Sequence, residues 1–286
     1  MRLKIKFELS GKKQVLPLNY QYPISAWIYK VLSKADEEFT NTLHNEGYKL
    51  NNGKTFKLFT FSKLNFPIHT WKIIPKSDRM QIWARQAYLT ISFQLPEQME
   101  KFVIGLFNEQ KVFVGDKISG IEMGVVGVEV IKDVPFDSAQ GKEIEDESPA
   151  SRLRRLKNVR IRTKTPIVLG INIEGEKYEQ YVTPLHAEYK ALFLKNLLDK
   201  YSASGGKDVE IEDLDFEVVT LHKTKKEKPK TDLQVIKAFT KEETRVKGYF
   251  YDFKLSAPKK VIEVGLNSGF GSMSSLGFGF CEVLGI

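Results

Sequence analysis

The spacing of apolar residues along this chain switches between two and about 3.6 in the same order twice, and few folds accept that order. Leu3, Ile5, Phe7 and Leu9 alternate with Arg2, Lys4, Lys6 and Glu8, which is the pattern of a strand with one buried face. Ile24, Trp27, Ile28, Val31 and Leu32 then recur at helical spacing. Ser33 followed by Asp36 resembles a capping box and predicts a second helix from there, with Phe39 and Leu43 as its apolar face and Gly47 as its end. Strands are expected at 57–62, 71–74 and 87–93. A helix opens at Pro96 with Met99, Phe102, Val103, Leu106 and Phe107 on one side, and strands at 111–115 and 121–131 close the half. Strand, helix, strand, strand, helix, strand is the order of a split βαβ, or ferredoxin-like, unit.

The second half repeats the plan. A strand is expected within 160–169, and a helix over 184–201 carries Leu185, Tyr189, Leu192, Phe193 and Leu197. A long strand follows at 209–221, another at 245–255, a short helix at 258–265 and a last strand at 278–284. Between the halves, residues 133–150 hold six acidic residues against one lysine, together with Pro, Ser and Gly, and read as a linker or surface insertion. The expectation is an α+β protein of two tandem ferredoxin-like (RRM-like, βαββαβ) domains: 1–132, the acidic stretch 133–150, then 151–286. A length of 286 residues accommodates this.

Composition narrows the partners. Lys and Arg number 44 against 36 Asp and Glu, a net charge of +8 that favours a polyanionic partner. Arg152, Arg154, Arg155, Lys157, Arg160, Arg162 and Lys164 follow the acidic stretch at once, and Lys223, Lys225, Lys226, Lys228 and Lys230 form a second basic cluster around Pro229. Arg155 and Lys223, Lys225 and Lys226 are the candidate contacts for nucleic-acid backbone. A single cysteine, Cys281, rules out an internal disulfide and thiolate metal clusters, and reads as a small buried hydrophobe. With no HxxxH spacing and no acidic cluster beside a histidine, nothing points to a bound metal or other cofactor. No apolar run reaches the roughly 18 residues of a membrane span, so the expectation is a cytoplasmic protein without a membrane partner.

The most specific motif is Gly265-Leu-Asn-Ser-Gly269-Phe270-Gly271-Ser272-Met-Ser-Ser-Leu-Gly277-Phe-Gly279, with five of the chain's 20 glycines in 15 residues. Glycine admits positive φ and lets a backbone approach a ligand closely, and successive amides can cradle a phosphate. A dinucleotide-binding loop is excluded by context, since no helix of a βαβ unit and no acidic partner follows. Gly-aromatic-Gly, five residues, then Gly-Phe-Gly beside the last strand of a tandem ferredoxin-like chain resembles the CRISPR-associated endoribonucleases that process repeat RNA, members of the RAMP superfamily. Asn19-Tyr20-Gln21-Tyr22-Pro23 before the first helix and Lys57-Leu58-Phe59-Thr60-Phe61-Ser62 extend the resemblance over essentially the whole chain.

That resemblance implies RNA as the partner, with Gly269, Phe270, Gly271, Ser272, Gly277 and Gly279 abutting it. It also implies metal-independent cleavage of precursor crRNA, in which the ribose 2′-OH attacks the neighbouring phosphate and leaves 2′,3′-cyclic phosphate and 5′-OH ends. Such chemistry needs a base, an acid and a cation at the phosphate. Some members of the family place a tyrosine on the first helix, a histidine near the end of the next and a lysine at the start of the Lys-Leu-Phe-Thr strand, which here are Tyr29, His44 and Lys57. Lys49, Lys54 and Lys63 lie close in sequence and compete with Lys57. His69, His186 and His222 remain without a role. The alternative is a non-catalytic RNA-binding subunit of a CRISPR effector complex; a homodimer and association with an effector complex both stay open.

Overall fold

The computed structural model describes residues 1–11, 14–131, 156–172, 175, 179–237 and 240–285. The acidic stretch 133–150 and Arg155 lie outside the described residues.

The first five-stranded sheet is built from β1 (Arg2–Leu9), β2 (Phe59–Phe61), β3 (Gln86–Phe93), β4 (Lys111–Gly115) and β5 (Gly120–Ile131), in the antiparallel order β2-β3-β1-β5-β4. Strand β1 lies between β3 and β5, as the split βαβ order requires. One face is covered by α1 (Gln21–Ala35) and α3 (Pro96–Asn108). Phe7, Trp27 and Phe102 meet edge-on there at ring separations of 5.7 and 5.8 Å. Between α1 and β2 sits a short helix, α2 (Glu37–Asn45). Its cap is Asp36, which accepts from the Phe39 amide at 2.9 Å, and not Ser33, because α1 continues through Ala35.

The second sheet holds β6 (Leu156–Thr163), β7 (Asp215–Leu221), β8 (Tyr251–Pro258) and β9 (Cys281–Gly285) in the order β7-β8-β6-β9, with α4 (Tyr189–Ala203) and α5 (Lys259–Ser268) in its two crossovers. Its core is aromatic: Phe193 stacks on Phe216 at 4.1 Å and on Phe270 at 5.7 Å. Among the described residues no helix is long and apolar enough to cross a membrane.

Where the chain departs from its apolar spacing, side chains or the backbone have taken over the local hydrogen bonding. The strand expected at 57–62 is only Phe59–Phe61, because Leu58 has φ +54 and breaks it from Lys57. Trp71–Ile73 is a strand, but it belongs to a separate sheet with Gln14–Pro17 and Arg79–Ile82. The helix expected from Pro184 begins at Tyr189, since Thr183 and His186 close turns ahead of it. The expected strand 209–221 starts only at Asp215; Glu210 and Asp213 exchange side-chain and backbone bonds and wind a 3-10 turn. The expected strand 245–255 is two strands. Thr244–Tyr249 pairs with Thr231–Ile236 in a hairpin, and the chain changes partner at Phe250 before joining the sheet as β8. Helix α5 extends to Ser268, and β9 starts at Cys281 instead of 278 because Gly277 and Gly279 take φ +85 and +70.

The two sheets meet through the segment after α5. Arg2, turned to the face of β1 away from its helices, is buried and donates to the carbonyls of Leu266 at 2.9 Å and Cys281 at 2.8 Å, with its guanidinium over the Phe280 ring. Thr60 Oγ1 donates to Phe278 O at 2.9 Å. The Phe270 amide joins the two ends of the glycine-rich loop by donating to Gly279 O at 3.0 Å, and the Gly279 amide ties the loop to Pro166 O at 2.9 Å. A Cβ on Gly279 would lie 1.9 Å from Phe270 O. Gly279→Ala is therefore expected to destabilise the chain by about 3 kcal/mol or more. Gly53→Ala, at φ +82 in open space, should cost only about 1–2 kcal/mol, the strain of a left-handed residue. Urea titrations of the two variants compare these losses, and equal losses would show that the close approach at Gly279 does not exist.

Candidate RNA-cleavage site

Tyr29, His44 and Lys57 come from α1, the end of α2 and the residue before β2, and they converge. On α1 the buried stripe is Ile24, Trp27, Ile28, Val31 and Leu32, which leaves Tyr29 at its edge, half-buried. Its ring stands edge-on to Phe59 at 5.6 Å and to the His44 imidazole at 4.9 Å. On α2, Leu43 is the buried anchor, so His44 beside it is exposed at the last turn. His44 Nδ1 is 3.1 Å from Asn45 Oδ1; with Nδ1 as the donor, Nε2 carries the lone pair.

Gly47 makes the approach of Lys57 feasible. Its amide returns to Thr42 O at 3.0 Å with φ +65, and a Cβ there would sit 2.6 Å from Phe56 O. Without that Cβ, the 56–57 backbone lies against the end of α2, and Lys57 Nζ donates to His44 O at 2.7 Å. Gln98 Nε2 holds the Lys57 carbonyl at 2.7 Å from α3.

The competing lysines are each engaged with a carboxylate: Lys49 with Glu46 at 2.8 Å, Lys54 with Asp199 at 2.6 Å and Lys63 with Asp232 at 2.5 Å. Lys57 has no carboxylate partner among the described residues. Partial burial, and then the charge of Lys49, lower its amine from the ordinary lysine value.

The glycine-rich loop adjoins this group by way of Ser275. Ser25 Oγ, one helical turn before Tyr29, donates to Ser275 O at 2.7 Å, and the Ser275 hydroxyl acts to lower the Tyr29 pKa. Sequence reasoning did not single out Ser25 or Ser275. Part of the loop's backbone is bonded to the protein. The amides of Phe270, Ser272, Gly277 and Gly279 donate to Gly279 O, Val168 O, Ser274 O and Pro166 O. The Phe270 ring is 1% exposed and packs between Phe193 and Phe253, so it is core in this structure and not a platform for a base. Ser272 is half-buried, while Gly269, Gly271, Gly277 and Gly279 are buried.

The remaining candidates lie elsewhere. Lys225 and Lys226 are exposed on a turn in which Lys223 pairs with Glu227 at 2.9 Å. His222 Nε2 is 2.8 Å from Asp252, whose buried carboxylate also takes the Arg162 guanidinium fork at 3.0 and 2.8 Å. Arg162 first, then His222, hold the Asp252 carboxyl below the usual carboxylate range. His69 occupies a turn with φ +64, and His186 Nδ1 accepts from the Glu188 amide at 3.2 Å.

An imidazole and a phenol with rings 4.9 Å apart, beside an ammonium that has no carboxylate partner among the described residues, form a set suited to acid–base chemistry at a phosphate. Burial is the main reason that the Tyr29 phenol is pushed up from 10.0 to about 12, against a smaller opposing effect of Ser275. Across neutral pH it is protonated. A difference titration of tyrosinate absorbance between the chain and Tyr29→Phe should show Tyr29 no more than about one-tenth ionised at roughly pH 11. Half-ionisation near pH 10.0 would mean that the phenol is not buried as described.

The comparisons with known proteins agree over both halves. Residues 15–123 match the family model described as CRISPR-associated protein Cas6, N-terminal, and residues 146–283 match the one described as CRISPR associated protein Cas6, C-terminal. A relative from Methanocaldococcus jannaschii named CRISPR-associated endoribonuclease Cas6 1 is 26% identical over 286 residues, spanning 97% of this chain and 91% of its own length. The solved structure titled "An RAMP protein binding different RNA substrates" has TM-score 0.71 at 18% identity, covering 99% of both chains. That titled "Characterization of a Cas6-related gene from Pyrococcus furiosus" has TM-score 0.71 at 20% identity, covering 99% of this chain and 98% of that one. These two structures share the tandem ferredoxin-like fold.

Proposed function

The chain belongs to the Cas6 family of CRISPR-associated proteins, and on that premise we propose that it is a metal-independent endoribonuclease that binds CRISPR repeat RNA and cuts precursor crRNA. The observation that carries the reading is the convergence of Tyr29, His44 and Lys57 at one corner of the first unit, with the His44 and Tyr29 rings 4.9 Å apart and the Lys57 ammonium on the His44 carbonyl.

In this reading the ribose 2′-OH attacks the adjacent phosphorus, the P–O5′ bond breaks, and the products carry a 2′,3′-cyclic phosphate and a 5′-OH. His44 Nε2 takes the 2′-OH proton or, as imidazolium, protonates the leaving O5′. Tyr29 stays protonated, so its part is to donate to and orient the attacking hydroxyl and not to act as a base. Lys57, alone among its neighbours in having no carboxylate to neutralise it, meets the charge that grows on the phosphoryl oxygens. The positive balance of the chain, +8, favours the RNA backbone generally. The relative from Methanocaldococcus jannaschii carries the endoribonuclease name, which supports the same activity here.

The test is cleavage of an end-labelled repeat RNA in EDTA by the wild-type chain and by His44→Ala. Cleavage is expected to survive EDTA, to stop when the nucleotide 5′ of the cut is 2′-deoxy, and to fall by about a hundredfold or more in His44→Ala. Tight binding by the wild-type chain without cleavage would sink the enzyme reading and favour an RNA-binding subunit of an effector complex.

A further inference from the structure

We propose that Lys200, a residue of the second unit with no place in the chemistry, is a positioning residue for RNA cleavage: it fixes the glycine-rich loop in the shape that presents Ser275 to Tyr29. The inference rests on the reading of Tyr29, His44 and Lys57 as the catalytic group.

Lys200 lies on the buried face of α4, one turn beyond Leu197 and two beyond Phe193, where packing alone would select an apolar residue. It is 2% exposed, yet it has no carboxylate partner among the described residues. Its Nζ donates to Gly269 O at 2.5 Å and Gly271 O at 2.6 Å, the carbonyls on either side of Phe270. Both glycines hold positive φ, +82 and +75. With their carbonyls committed to the interior, an apolar residue at 200 would leave two buried acceptors without their donor. Burial pushes the amine down to about 7, and either protonation state keeps the two N–H groups that the two carbonyls need.

The loop is therefore fastened to α4 at two points, by Lys200 on its carbonyls and by Phe193 on the Phe270 ring at 5.7 Å, and it is closed on itself by the Phe270 amide on Gly279 O. What projects from this clasp is the turn Ser274–Leu276, which packs on α1 and β2. Through its carbonyl, Ser275 on that turn accepts from the Oγ of Ser25, one helical turn before Tyr29, and the Ser275 hydroxyl acts on the Tyr29 phenol. Releasing the clasp slackens this connection from the second unit to the Tyr29 hydroxyl and leaves His44 and Lys57, which belong to the first, where they are.

The decisive experiment is single-turnover cleavage of repeat RNA by the full chain carrying Lys200→Met, alone and combined with Tyr29→Phe. Affinity is measured in parallel on RNA blocked by 2′-deoxy at the cut, at a temperature where circular dichroism shows each variant folded. Lys200→Met is expected to slow cleavage by about tenfold or more while affinity changes by less than about threefold. In the Tyr29→Phe background it should add less than about twofold, because both changes act through one hydroxyl. If Lys200→Met does not fold, Ser275→Ala, which cuts the link at a half-buried residue, is expected to show the same split and the same lack of additivity. Wild-type cleavage by folded Lys200→Met, or by Ser275→Ala, overturns the proposal, as does a slowing of equal factor with and without the Tyr29 hydroxyl. Parallel His44→Ala separates the two levels: wild-type activity there removes the catalytic reading itself, whereas an inactive His44→Ala beside an unaffected Lys200→Met removes only the role given to Lys200.

Discussion

The backbone between Gly269 and Phe280 is the joint on which the remainder depends. It needs four left-handed glycines, because its two ends approach so closely that a methyl group on Gly279 would overlap the Phe270 carbonyl. That close approach lets one short segment serve both units. It gives Phe270 to the aromatic core of the second sheet and the Phe278 carbonyl to Thr60 on the edge strand of the first. Its carbonyls at Gly269, Gly271, Ser275 and Phe278 and its amides at Phe270, Ser272, Gly277 and Gly279 are bonded to the protein, which fixes the path of the segment. The motif thus acts as a structural wedge between the two units, and it reaches the site at Ser275.

Much of the architecture was legible because burying one face of a sheet or helix imposes its period on the sequence. Leu3, Ile5, Phe7 and Leu9, or Ile24 through Leu32, declare themselves without any knowledge of what they pack against. Element ends were legible only where hydrophobic spacing alone decides them. Leu58, Glu210 with Asp213, and the glycines ahead of Cys281 each override it through backbone conformation or a side-chain bond, which a periodic reading does not register. Likewise, Asp36 took the cap assigned to Ser33 because α1 had not yet ended.

The site was legible in a different way. Tyr29, His44 and Lys57 sit off or beside the apolar stripes, so periodicity says nothing of them, and only the resemblance to a family drew them together. That Lys54 and Lys63 are engaged by carboxylates needed coordinates, since the one that engages Lys54 is 145 residues away and the one that engages Lys63 is 169. Ser275 and Lys200 left a weaker trace. Ser275 meets Ser25 across 250 residues, and Lys200 meets the loop across 69 and 71. The one visible hint was a lysine falling in register with Phe193 and Leu197 on the inward side of a helix.

Arg2 has a consequence in time as well as in space. Its guanidinium is bound by carbonyls 264 and 279 residues further along the chain. A ribosome extends a chain by about 5–20 residues each second, so roughly a quarter to one minute separates the synthesis of Arg2 from that of its partners. Through that interval the first sheet, with His44 and Lys57 already in it, has its Arg2 face uncovered and its tyrosine without Ser275. Tyr29, His44 and Lys57 are made early and the turn that packs on the helix of Tyr29 is made late, so a nascent chain short of that turn holds the three side chains without it. For a protein proposed to cut RNA, and synthesised on a machine built of RNA, that order of assembly makes this contact one of the later ones to form.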